Sequence, residues 1–189
     1  DNEYTQKFGK QQGKYYVPQR AAAGLDPWAT PQAYDNAKDF FDTGITWSNS
    51  LNVAQMLDKS SYSISLGNTH QDGIISSTGM DRYNVKVSAD TKLTNNWSSG
   101  FTANYITTSI DKAVTSGNGL LRTVYAAPPS YDLAGIPSHV DGNPYTQNSF
   151  RGSFDNAYWA MENNKFTEDT NRFFGNVYAS SVSYTHLTL

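Results

Sequence analysis

The chain has 189 residues, 38% of them hydrophobic, a formal charge of −3 and no cysteine. A near-balanced, slightly acidic charge gives no attraction for nucleic acid and no basic run for a membrane surface, and the lack of cysteine excludes disulfides and thiolate metal sites. No apolar run of about 18 residues occurs, so no transmembrane helix is written; a β-barrel strand needs only about 10 residues, half of them polar, so a membrane crossed by strands stays open.

The chain opens on Asp1-Asn2-Glu3-Tyr4 with no signal peptide, which reads as an internal piece of a longer protein. Residues 1–43 are polar with scattered aromatics and three prolines, Pro18, Pro27 and Pro31, through which no central strand passes. Tyr15-Tyr16-Val17 suggests a short strand, and a short helix is expected over 35–41, with Asp35 as its N-cap and Gly44 as its stop. The rest of this stretch reads as a loop.

From residue 45 the text changes to strict alternation, the mark of strands with one apolar and one polar side. A first strand is expected over 45–56, with Ile45, Trp47, Leu51 and Val53 on one face and Asn49 interrupting it. Asp58-Lys59 makes a tight turn. A second strand over 61–69 carries Tyr62, Ile64 and Leu66 against Ser61, Ser63, Ser65 and Gly67. A loop with Asp72-Gly73 and Thr78-Gly79 follows. The third strand, 81–92, sets Tyr83, Val85, Val87 and Ala89 against Arg82, Asn84, Lys86, Ser88 and Asp90. Thr94-Asn95-Asn96 is a second tight turn. The fourth strand, 97–109, sets Trp97, Phe101, Ala103 and Tyr105 against Ser98, Gly100, Thr102 and Asn104, with Ser99 interrupting. Nothing over 111–171 alternates; Leu120, Leu121, Val124 and Tyr125 stand at helical spacing before Pro128-Pro129, and the remainder reads as one long loop. A fifth strand is expected over 172–181, with Phe173, Val177 and Ala179 on one face.

Short, medium, short and very long connections predict an all-β fold: a segment of about five strands from an antiparallel up-and-down transmembrane β-barrel with long extracellular loops. Trp47, Leu51, Val53, Tyr62, Ile64, Leu66, Tyr83, Val85, Val87, Trp97, Phe101 and Tyr105 would face lipid. Ser63, Ser65, Arg82, Asn84, Lys86, Asp90, Thr102 and Asn104 would face the lumen, where charges are tolerated that a dry core would not accept unpaired. Tyr62 and Trp97 beside the tight turns, with Trp47 and Tyr83 at the far ends, match the two aromatic girdles of such barrels. The alternative is an ordinary antiparallel sheet with its aliphatic side as core.

Several motifs then carry a resemblance. Asn36-Ala37-Lys38-Asp39-Phe40-Phe41-Asp42-Thr43-Gly44 resembles the N-x-K-D-F-F-x-T-G segment of SusC/RagA-like TonB-linked outer-membrane proteins. Tyr62-Ser63-Ile64-Ser65-Leu66-Gly67 with Gln71-Asp72-Gly73-Ile74-Ile75 resembles the hairpin of that family, and Arg82-Tyr83-Asn84-Val85 to Asp90 with Lys92-Leu93-Thr94 its next strand and turn. Asn156-Ala157-Tyr158-Trp159 resembles its N-P-Y-W motif, with Ala157 where proline is usual, and Arg172-Phe173-Phe174-Gly175-Asn176-Val177 the strand after it. The resemblance implies a partial TonB-dependent receptor barrel over 1–181, in the outer membrane of Bacteroidota. It implies import of oligosaccharides or peptides with a SusD-like surface lipoprotein, driven by the TonB complex through a plug region not seen in this stretch. A soluble β-rich carbohydrate-binding module and a passive porin are the competing functions. Val182-Ser183-Tyr184-Thr185-His186-Leu187-Thr188-Leu189 resembles the translation of a sequencing-library adapter, so native sequence is expected to end near Ser181.

No enzyme motif is found: no G-x-S-x-G, H-E-x-x-H, P-loop or C-x-x-C. No catalytic residue, cofactor or metal is therefore expected. His70 and His139 read as solvated loop residues without ligand spacing. Asp141-Gly142-Asn143 reads as turn chemistry, since a calcium loop would need a trailing acid. The candidate substrate contacts are Trp28, Tyr145, Tyr158 and Trp159, rings in polar loops on which sugar faces could stack; the bland reading is that they pack the loops together.

Overall fold

A computed structural model describes residues 10–113 and 119–182. The expected adapter tail lies outside the described residues from 183 onward. Two compact units form. Of the described residues, one gathers 45–72, 79–110 and 167–182; the other gathers 10–44, 73–78, 111–113 and 119–166.

The strands in chain order are β1 (Lys10–Gln11), β2 (Lys14–Tyr16), β3 (Trp28–Ala29), β4 (Thr46–Met56), β5 (Ser60–Asp72), β6 (Gly79–Lys92), β7 (Trp97–Lys112), β8 (His139–Val140), β9 (Asn143–Gln147) and β10 (Phe166–Ser181). Short helices span Pro18–Ala22, Asn36–Phe40, Leu120–Ala126 and Ala157–Asn163. The secondary structure is predominantly antiparallel β, as the all-β expectation has it.

The first unit is a five-stranded sheet in the order β10-β7-β6-β5-β4. β4–β5 and β5–β6 are antiparallel ladders. Side-chain bonds Ser99 Oγ to Tyr178 O and Tyr105 OH to Asn171 Oδ1 fix β7 and β10 running in opposite directions. Both expected tight turns form. Leu57 N–H closes on Ser60 O at 2.7 Å, and Leu93 N–H on Trp97 O at 2.9 Å. In the second turn Thr94 Oγ1 accepts from the amides of Asn96 and Trp97, a hydroxyl standing in for a backbone acceptor. The strands outrun their expected limits: β5 reaches Asp72 rather than 69, β7 reaches Lys112 rather than 109, and β10 starts at Phe166 rather than 172. Apolar alternation fades at those ends while the hydrogen-bond ladder continues, because pairing needs backbone rather than greasy side chains.

The second unit overturns the reading of 1–43 and 111–171 as loops. It contains every buried hydrophobic residue described: Tyr15, Val17, Phe40, Leu120, Val124, Tyr131, Leu133, Ile136, Phe150, Phe154, Ala157 and Ala160. The helix at 36–40 forms as expected, with Asp35 Oδ1 accepting from Lys38 N. So does the helical turn at Leu120–Ala126, whose Leu120 and Val124 point into the core. Missed from the sequence were the β8–β9 hairpin and the Ala157–Asn163 helix. The hairpin turns on Asp141 and Gly142, both at positive φ (47° and 69°), a pair that suits the twist of flanking strands.

Buried asparagines hold this unit where regular ladders are absent. Asn36 donates to Pro128 O (3.2 Å) and Tyr131 O (2.9 Å) and accepts from Leu133 N (3.1 Å). Asn148 donates to Gln19 O and Pro137 O. Asn156 caps its helix by accepting from Tyr158 N and Trp159 N, and donates to Asn148 O. Each amide satisfies irregular backbone groups that would otherwise be buried without partners. The link from 73–78 joins through Asp42 N–H to Ile74 O and the Phe41–Ile75 bridge.

Candidate functional site

The sheet presents two chemically distinct faces whose rows follow from register. On the apolar face the rows across β4, β5 and β6 are Gln55–Tyr62–Ala89, Val53–Ile64–Val87, Leu51–Leu66–Val85, Asn49–Asn68–Tyr83 and Trp47–His70–Asp81. Asn49, an interruption in the sequence, stands opposite Asn68 and level with Tyr83, so the polar residues of neighbouring strands arrive in one row. The middle rows are aliphatic, and the end rows carry the rings. Tyr62 and His70, the residue opposite Trp47, lie eight positions apart on β5. At about 3.3 Å per residue that is about 26 Å along the strand, or about 20 Å across a bilayer at a tilt near 40°, against an apolar band about 25 Å tall in outer-membrane barrels.

Of the twelve residues expected to face lipid, eleven are exposed: Trp47, Leu51, Val53, Tyr62, Ile64, Leu66, Tyr83, Val85, Trp97, Phe101 and Tyr105; Val87 is half-buried. Even Leu66, midway along β5 and flanked by β4 and β6, is 43% exposed. Phe173 and Val177 on β10 are more exposed still. Contiguous exposed aliphatic surface of this kind is unusual on a protein that faces water.

The opposite face is knit by side-chain hydrogen bonds. Ser63 Oγ meets Ser88 Oγ at 2.7 Å, Ser65 Oγ donates to Asn52 Oδ1 at 3.1 Å, and Ser48 meets Thr69 at 3.2 Å. Ser63, Ser65, Asn84, Thr102 and Asn104 are half-buried, and Arg82, Lys86 and Asp90 are exposed. Tyr178 OH reaches Asp90 Oδ1 at 2.6 Å, crossing β7 at Gly100. A Cβ at Gly100 would collide with Asp90, the Tyr178 ring and Ala89 O, so only glycine leaves room for that bridge.

The four rings expected to contact substrate all lie in the second unit, on three elements: β3, β9 and the Ala157–Asn163 helix. Trp28 sits on β3, edge-to-face with Tyr16 at 5.5 Å. The Tyr158 ring packs edge-to-face on Phe40 at 5.3 Å, its hydroxyl on Asp39 O. Burial, with Asp39 adding to it, raises the Tyr158 phenol above its ordinary pKa of 10.0. Trp159 donates through Nε1 to Pro144 O at 2.8 Å, which sets it beside Tyr145 on β9. Tyr145 is 86% exposed, the most open ring described. Trp28, Tyr158 and Trp159 thus hold structure together, and Tyr145 alone stands free for a ligand.

Both histidines require correction: neither is a loop residue. His70 lies on β5, with Nδ1 2.7 Å from Asp81 and Nε2 3.3 Å from Asp72. His139 lies on β8, with Nε2 3.0 Å from Glu162. The His70 cluster could have been found by extending the Ile64–Val87 pairing six residues outward. Among the described residues no group of three or more His, Cys, Asp or Glu could hold a metal ion. No helix is long and apolar enough to cross a membrane, which says nothing about strands. Neither a scan against protein-family models nor a search of curated proteins finds a match for this chain.

Proposed function

We propose that this chain is a stretch of wall and loops from an outer-membrane TonB-dependent transporter resembling the SusC/RagA type, importing oligosaccharides or peptides beneath a SusD-like lipoprotein. The observation that carries the reading is an inversion of burial. The long amphipathic strands keep their aliphatic face open, while the segments outside the sheet hold every buried hydrophobic residue described. A soluble sheet hides its aliphatic face beneath another layer; a barrel wall turns that face to hydrocarbon and its polar face to water. Tight turns at one end of the sheet and, from the other, one six-residue and one very long connection follow the same pattern. Transport itself, its substrate and its TonB and lipoprotein partners rest on the motif resemblance. The chain has no catalytic role in this reading.

The test uses tryptophan. In a variant keeping only Trp47, reconstituted in vesicles with chain-brominated lipid, the reading expects strong quenching of emission relative to unbrominated vesicles. Equal emission in both, with a chain that stays monomeric in plain buffer, would replace the transporter with the soluble carbohydrate-binding module. Uptake by cells carrying the complete gene, lost when a neighbouring SusD-like gene is deleted, separates an active transporter from a passive porin.

A further inference from the structure

At the loop-bearing end of the β5–β6 hairpin His70 lies between two carboxylates. Its register partner Asp81 meets Nδ1 at 2.7 Å, and Asp72, two residues on, meets Nε2 at 3.3 Å. A neutral imidazole has one N–H, so it can donate to only one of these; its other nitrogen would set a lone pair against a carboxylate. Holding both acids at once requires both nitrogens protonated. Among the described residues only Asp81 and Asp72 act on the ring: β4, which supplies its neighbour Trp47, contains no ionisable residue, 73–78 contains none, and Arg82 lies on the other side of β6.

We infer that His70 is a proton-operated clasp: doubly protonated it fastens the end of the hairpin, and on losing a proton it lets go of Asp72. Asp72 is the more weakly held partner and so the one released. It is also the last residue of β5, its amide bonded to Ile45 O, and it leads into Gly73, whose amide closes on Thr78 O at 2.8 Å. Release therefore loosens the root of the 73–78 connection, and does so across the range in which histidine changes charge. With side-chain exposures of 51% for His70, 60% for Asp72 and 47% for Asp81, the clasp is a modest one. The inference needs only the hairpin and stands apart from the transporter reading.

Amide hydrogen exchange of Asp72 and Gly73 in the full chain, held in detergent micelles and corrected for intrinsic base catalysis, tests it. The opening constant is expected to rise about two- to five-fold between about pH 5.5 and pH 8, the span an exposed ion pair supports. His70→Gln should flatten the profile. Asp72→Asn should flatten it too, because an amide can donate to the neutral ring and so holds in both states. A flat profile in the unmodified chain, or an undiminished step in either variant, overturns the clasp.

Discussion

Asn36 ties two carbonyls and one amide of the 128–133 segment to a helix almost a hundred residues earlier, and only 6% of it is exposed. Asn36→Ala strands those three groups in the interior, at about 1–3 kcal/mol for each unsatisfied group before relaxation. We expect a loss of about 3 kcal/mol in denaturant titrations read by near-UV circular dichroism; a loss under about 1 kcal/mol would mean that the amide is replaceable. The tyrosines give a pH test. Burial first, and neighbouring acids or phenols second, raise the phenols of Tyr15, Tyr34 and Tyr158 above 10.0. The folded state therefore favours the neutral phenol more than the unfolded chain does. That stability is complete below about pH 10 and is lost as pH climbs through the raised values. Melting temperature should hold to about pH 9.5 and fall beyond it, less steeply in Tyr158→Phe; a decline that starts near neutrality would point to other groups. Contacts of this kind are illegible in sequence: nothing around Asn36 says which carbonyls lie above it, although its neighbour Asp35 could be named as a cap from its position alone.

The strands were the legible part. Period-two alternation located all five and assigned their faces, because a pleated backbone leaves side chains no other choice. The connections were illegible because their order comes from asparagine hubs, edge-on rings and a two-residue turn, none of which repeats along the chain. Face assignment yields a sharp comparison on β5. Leu66→Arg puts a guanidinium in the central aliphatic row, where hydrocarbon would exact about 2–4 kcal/mol; Ser65→Arg, one residue away, puts it on the polar face at little cost. Unfolding titrations in micelles and heat-dependent gel mobility should separate the two variants by that margin. Equal stabilities would mean water on both sides, where surface changes usually stay within about 0.5 kcal/mol. Gly100→Ala should break the Tyr178–Asp90 bridge, seen as faster solvent exchange of the Tyr178 hydroxyl proton; an unchanged rate would mean that the close approach adjusts.

The chain as a whole divides its labour by solvent. One unit spends its hydrophobic residues inward and is assembled from three separate stretches of sequence; the other turns them outward. Because Tyr15, Val17 and Phe40 share a core with Val124, Leu133 and Phe150, residues 10–44 are expected to lose their fold without 113–165. Replacing 113–165 by a short Gly/Ser linker should expose residues 10–43 to limited proteolysis in micelles while β4–β6 remain protected. Continued protection of 10–43 would show that the amino-terminal stretch is independently stable. No periodicity announces such long-range dependence, so the division into units was beyond reach of a reading that took the chain segment by segment.

The strand order β10-β7-β6-β5-β4 has an arithmetic consequence. Five alternating strands is an odd number, so the first and last point the same way. Rolled into a cylinder on its own, this sheet would have to seal with a parallel seam, and so would a ring of identical copies joined head to tail. An even-numbered, wholly antiparallel cylinder that included this sheet would need an odd number of further staves beside it.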